Sequence, residues 1–219
     1  MTLTRLLQLC DSAFPGGGYA FSDGLETYTQ SRKVRSSTDL LELLTTQLEQ
    51  GWGRVDLVGC ALAWYNTDSD DAPALERLNM YLNALKVVEG PRRASLKMGV
   101  TLLRSARVLW PQLEEVWLPA SSHHALVFGT LAHRLGIPQR DLLKGLCSSY
   151  LLGKCTSATR LFSLGGLEAQ KVVSLLEPQV ESAVEFALEA TLEDLGGFTP
   201  GLDWAAAVQQ TLELRLFQS

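Results

Sequence analysis

The chain has only three histidines and four cysteines in 219 residues, with no CxxC pair and no HxxxH spacing. Zinc ribbons, thioredoxin-type redox motifs and two-histidine helical metal sites each need one of those spacings, so all three lose their main support. His124 and His133 are nine residues apart, which puts them on opposite sides of a helix. With His123, they read as one core or capping histidine and two partly exposed ones. Cys10, Cys60, Cys147 and Cys155 each lie among apolar neighbours, the pattern of reduced, buried thiols in a cytosolic protein.

Long runs of either kind are missing too. Lys and Arg number 19 against 24 Asp and Glu, a net charge of −5, and an acidic chain of this kind is not expected to wrap nucleic acid. The densest basic clusters, Arg32, Lys33 and Arg35, then Arg92, Arg93 and Lys97, read as solvated helix ends. No stretch reaches the ~18–20 apolar residues of a membrane span. The apolar run Leu6 to Cys10 stops at Asp11, too soon for a signal peptide. The expectation is a cytoplasmic protein with neither membrane nor nucleic acid as partner.

Catalytic signatures are equally scarce. There is no GxSxG elbow, and Ser121 and Ser122 beside His123 read as a helix N-terminus. Gly153 and Lys154 fail as a phosphate-binding loop, because Ser148 stands where that loop needs glycine and Cys155 where it needs Ser or Thr. Asp70 with Asp71, and Glu114 with Glu115, are adjacent in sequence and so do not share a helical face. The chain is therefore read as no enzyme, with no cofactor or metal site of its own.

What the chain does have is leucine at helical spacing. At 46% hydrophobic, it is too apolar for disorder and long enough to bury about 70% of its unfolded surface. Strand-like alternation is rare, so the fold class is all-α: a single-domain bundle of about eight to ten helices with a flexible C-terminal tail, residues 198–219. Ser36 and Asp39 form a capping-box pair ahead of Leu40, Leu41, Leu43, Leu44 and Leu48, in a helix ending near Gly51 and Gly53. Further helices are expected from near Asp56, from Pro73 to about Val88, from Pro91 to about Leu109, and near 121–135, 138–155 and 168–194. One segment differs from all of these. Asp11 to Glu26 sets Phe14, Tyr19 and Phe21 around Gly16, Gly17 and Gly18 just before a helix, which suits either a structural loop or a partner contact.

These residues resemble a known family. Leu6, Leu7, Gln8, Leu9, Asp11, Ser12, Pro15 and Gly17, then Gly18, Tyr19, Phe21, Ser22, Gly24, Leu25 and Glu26, are similar to the N-terminal signature of the urease accessory protein UreF family. Arg93, Ser95, Met98, Gly99 and Leu102 resemble its central helix, followed by His124, Val127, Phe128, Gly129, Leu135 and Gly136. Ser157, Ala158, Arg160, Leu161, Leu164, Gly165 and Gln170 come next, then Pro200, Leu202, Asp203, Ala205, Arg215, Leu216, Phe217 and Ser219. Five collinear blocks covering nearly the whole chain are hard to produce by chance.

The resemblance implies an all-α, non-catalytic protein, usually a homodimer. Such a protein joins UreD/UreH and recruits the GTPase UreG for nickel delivery to apo-urease. Nickel is then handled by the assembled complex and GTP by UreG, with nothing bound stably by this chain. The resemblance ties the C-terminal tail to UreD/UreH, and the position of Arg160 to control of GTP hydrolysis by UreG. The candidate partner-binding residues are Tyr19, Phe21, Ser22 and Glu26, then Arg160 and Gln170, then Arg215, Leu216 and Phe217. For Arg160, a conformational or binding role is favoured over an arginine finger, because Ser157, Ala158, Leu161 and Leu164 suggest a packed helix. In one place the chain departs from the family. Val208, Gln209 and Gln210 replace its usual Arg-His-Glu triplet, so charge-assisted contacts are expected to be missing there. That departure leaves a second reading open, a divergent helical interaction module that has lost the urease role.

Overall fold

Helices account for the regular structure of the computed structural model, which describes residues 2–16, 24–209, 212 and 216–217, and no strand occurs among them. In chain order the helices are α1 (Thr2–Cys10), α2 (Leu25–Gln30), α3 (Ser37–Gln50), α4 (Val58–Asp68), α5 (Ala72–Leu85) and α6 (Glu89–Leu109). Then follow α7 (His124–Arg134), α8 (Gln139–Leu161), α9 (Gly166–Leu175), α10 (Glu177–Glu189) and α11 (Pro200–Val208). One hydrophobic core draws on α1 to α10.

Local chemistry explains several boundaries. Ser36 Oγ accepts the Asp39 N–H at 3.2 Å, and Asp39 Oδ2 accepts the Ser36 N–H at 3.0 Å, so the expected capping box starts α3. Leu40, Leu44 and Leu48 then form its buried stripe. Between α3 and α4 the chain passes through a single π-helical turn, Gly53–Leu57, without a loop. The helix expected over 168–194 is in fact two. Pro178 has no N–H to continue a helix through this point, and it sits instead in the first turn of α10 after a break at Leu176. Conversely, α8 runs to Leu161, beyond the expected end near 155. Arg92 and Arg93 fall in the opening turns of the 21-residue α6 and Lys97 one turn further on; Arg93 and Lys97 are exposed, while Arg92 is half-buried.

The middle of the molecule is α7. Every residue from Ala125 to Ala132 is buried, so this helix is apolar on all sides and packs against α4, α6 and α8. Gly129 makes the crossing with α4 possible: a Cβ there would overlap the carbonyl oxygen of Cys60 and lie 2.9 Å from Ala63 Cβ. Neither Ser121 nor Ser122 caps α7. Its entry is held from neighbouring helices, with the His123 N–H donating to Asn79 Oδ1 of α5 at 3.1 Å and the His124 N–H to Ser95 Oγ of α6 at 3.3 Å.

His123 is fully buried, with Nδ1 3.1 Å from Ser95 Oγ, while His124 and His133 are partly exposed, as their sequence context suggested. Burial pushes both His123 and His124 down to about 4, with Lys86 lowering both further and Asp56 partly opposing it. Both imidazoles are therefore neutral at pH 7.

Gly129→Ala should cost about 3 kcal/mol or more, read as a lowered urea midpoint, because backbone and not a flexible side chain blocks the new methyl. Gly153→Ala, on an open stretch of α8, should instead be neutral or stabilise by about 0.5–1 kcal/mol. The depressed histidines make the unfolded chain bind protons first, so stability is complete above about pH 6.5 and falls as the pH drops from there towards 4. Thermal midpoints across that range should show the loss, and replacing His123 and His124 with glutamine should flatten the slope.

Candidate partner-binding site

The site begins where the glycine-aromatic segment enters α2. Gly24 has φ +85°, a left-handed conformation that favours glycine, and a Cβ there would sit 3.2 Å from both Ala205 Cβ and the Ala206 N. Turn geometry and close approach to α11 thus demand the same residue. Thr27 Oγ1 donates to the Ala205 carbonyl at 2.8 Å, and the Gly24 N–H donates to Gln209 Oε1 at 3.3 Å. The first turn of α2 is in this way bonded to the C-terminal helix.

Glu26 lies in that turn with no exposed surface. Its Oε1 accepts the Leu216 N–H at 2.6 Å, and its Oε2 accepts the Phe217 N–H and Gln209 Nε2, both at 3.3 Å. A buried carboxylate needs such donors, since leaving it unpaired costs far more than an exposed one. The tail supplies them from its backbone. Gln209 is itself buried, accepting from Gly24 through Oε1 and donating to Glu26 through Nε2. The expected loss of charge-assisted contacts at the altered triplet is therefore wrong for Gln209: its neutral amide makes one, to the Glu26 carboxylate.

Beyond Glu26, the Phe217 ring is buried, and the guanidinium of the exposed Arg160 stacks over it at 4.6 Å from the ring centroid. Leu216 beside it points outward and is exposed. The structure thus brings together Glu26, Arg160, Leu216 and Phe217, and adds Gln209, which sequence reasoning had set down only as a departure. Gln170 is an exposed residue of α9, and among the described residues it makes no hydrogen bond or ring contact with this cluster. Tyr19, Phe21, Ser22, Gln210 and Arg215 lie outside the described residues.

What this arrangement can do is bind and hold. Burial pushes the Cys10 and Cys147 thiols up to about 12 and Cys155 to about 11, and raises Cys60 well above the usual range, so none offers a thiolate at neutral pH. Among the described residues, no group of three or more His, Cys, Asp or Glu is placed to hold a metal ion. A cavity of about 640 Å³ lies between α1, α6, α8 and α11, with the Lys86–Asp56 ion pair closed at 2.7 Å in its wall. No described helix is long and apolar enough to cross a membrane.

Removing the acceptor should release the tail. In Glu26→Ala, the amides of Leu216 and Phe217 lose their partner, and hydrogen exchange there should rise at least about tenfold while α7 stays protected. Unchanged protection at 216–217 would show that Glu26 is not what holds them.

Known proteins resemble this chain over nearly its whole length. The UreF family model matches residues 34–177. A urease accessory protein UreF from Chromohalobacter salexigens is 31% identical over 219 residues, covering all of this chain and 95% of that protein. One from Psychrobacter cryohalolentis is 32% identical over 226 residues, with the same shares covered, and one from Bacillus sp. is 26% identical over 226 residues, 99% of each. These relatives carry the name of an accessory protein and not of an enzyme, in keeping with a non-catalytic chain. Similarity from end to end, on an all-α fold that joins the first and last of the sequence blocks through Glu26, shows that this chain belongs to the urease accessory protein UreF family.

Proposed function

We propose that this chain is a cytoplasmic scaffold of urease maturation, joining UreD/UreH to the GTPase UreG so that nickel reaches apo-urease. Nickel is cargo of the assembled complex and GTP is bound by UreG; this chain contributes surfaces, and it acts as a homodimer. The observation that carries the reading is the contact between Arg160 and Phe217. The sequence resemblance ties one to UreG and the other to UreD/UreH, and they touch.

That contact supports a binding or conformational role for Arg160. Arg160 is the penultimate residue of α8, held over an aromatic ring of its own chain. An arginine finger must instead extend to the transferred phosphate of another protein. A partner that draws the tail away frees the guanidinium, and a partner that engages the guanidinium loosens the tail, so the two binding events are linked.

A double-mutant cycle tests this. Arg160→Ala and Phe217→Ala should each change UreG recruitment by the UreD/UreH complex without unfolding the chain, and together they should fall short of additivity by about 0.5–1 kcal/mol. Additive effects would separate the two residues. Wild-type recruitment by both single variants would remove them from the interface.

A further inference from the structure

A second surface lies on α6. This helix carries Arg92, Arg93, Lys97, Arg104 and Arg107 against one carboxylate, Glu89. Its net charge is +4 in a chain of −5, so the other residues together carry −9. Arg92 and Arg107 turn to their own chain, donating to the carbonyls of Lys86 and Val116 at 3.4 and 2.9 Å. Arg93, Lys97 and Arg104 are exposed. Glu89 lies 3.5 Å from Arg93, but both side chains are well exposed and such a pair is weak.

Two valines stand on the same line. Val100 is 57% exposed and Val108 78%, so the stripe reads Arg93, Lys97, Val100, Arg104, Val108. Steps of four, three, four and four residues keep all five within about a quarter of the helix circumference, over a length of about 22 Å. These two valines set aliphatic side chains among the cations on the open face of α6.

We infer that the α6 stripe docks an acidic protein surface of the maturation assembly, one presenting carboxylates at helical spacing around aliphatic side chains; the inference rests on the scaffold role proposed above. Charge complementarity selects this occupant. An acidic partner is drawn to a +4 helix and repelled by the −9 remainder, which orients it as well as attracting it. A nucleic acid backbone would meet the same −9 field over most of its length. A membrane-surface helix buries a broad face rich in Leu, Phe and Trp, and the narrow valine-containing stripe does not provide one.

The test uses the full-length chain carrying Arg93→Glu, Lys97→Glu and Arg104→Glu together, with Val100→Asp as a second variant. All four positions are exposed, and circular dichroism and thermal midpoint should match wild type. Affinity for purified UreD/UreH, UreG and apo-urease is measured separately at low and high salt, alongside self-association and binding to phosphatidylserine vesicles. The expected result is a loss of about tenfold or more for one of the three proteins in the triple variant, reproduced in wild type by high salt. Val100→Asp should weaken the same partner. Wild-type affinity of the variants for all three proteins overturns the inference, as does an effect confined to self-association or to vesicles. Failure of the wild-type chain to bind any of the three overturns the scaffold reading itself, a different outcome from binding that ignores the stripe.

Discussion

The burial of α7 between α4 and α6 is the constraint on which the rest of the molecule depends. A helix apolar on all sides must be enclosed, and here Gly129 lets the α4 backbone close over it. The backbone N–H groups of His123 and His124 at its entry are bonded from neighbouring helices, by Asn79 of α5 and Ser95 of α6. Those contacts fix where α6 lies. The far end of α6 in turn positions the start of the glycine-aromatic segment: Ser105 Oγ donates to the Pro15 carbonyl at 3.1 Å, and Phe14 stacks with Trp110 at 6.2 Å between ring centroids.

On this frame, Glu26 makes the two ends of the chain one surface. A carboxylate removed from water must find donors, and the backbone of Leu216 and Phe217 provides them. The tail is therefore held by a need of the helix it docks on, not only by its own apolar residues. Arg160, carried on α8, completes the cluster by covering Phe217. A surface assembled from three distant parts of the chain suits the scaffold role proposed above.

Much of the fold was legible because its determinants are local. The Ser36 and Asp39 box, the Leu40, Leu44 and Leu48 stripe, and the proline at the start of α5 all act within a few residues. The break between α9 and α10 was missed because leucine spacing continues across it, and a proline in a first turn interrupts nothing but the hydrogen-bond ladder behind it. Capping of α7 was misplaced onto Ser121 and Ser122 because its real partners lie 44 and 29 residues away.

The site was legible in its members and not in its assembly. Glu26, Arg160, Leu216 and Phe217 stood out only through family resemblance, and no periodicity links residues separated by 190 positions. Gln209 was misjudged for the same reason: a neutral residue in place of a charged one looks like a loss until its two partners, Gly24 and Glu26, are seen. The most direct test of the account is nickel-dependent urease activity in cells holding the cognate urease and the other accessory genes, with and without this chain. The account predicts activity lost without the chain and restored by the wild-type protein but not by Glu26→Ala. Full activity in its absence would contradict it.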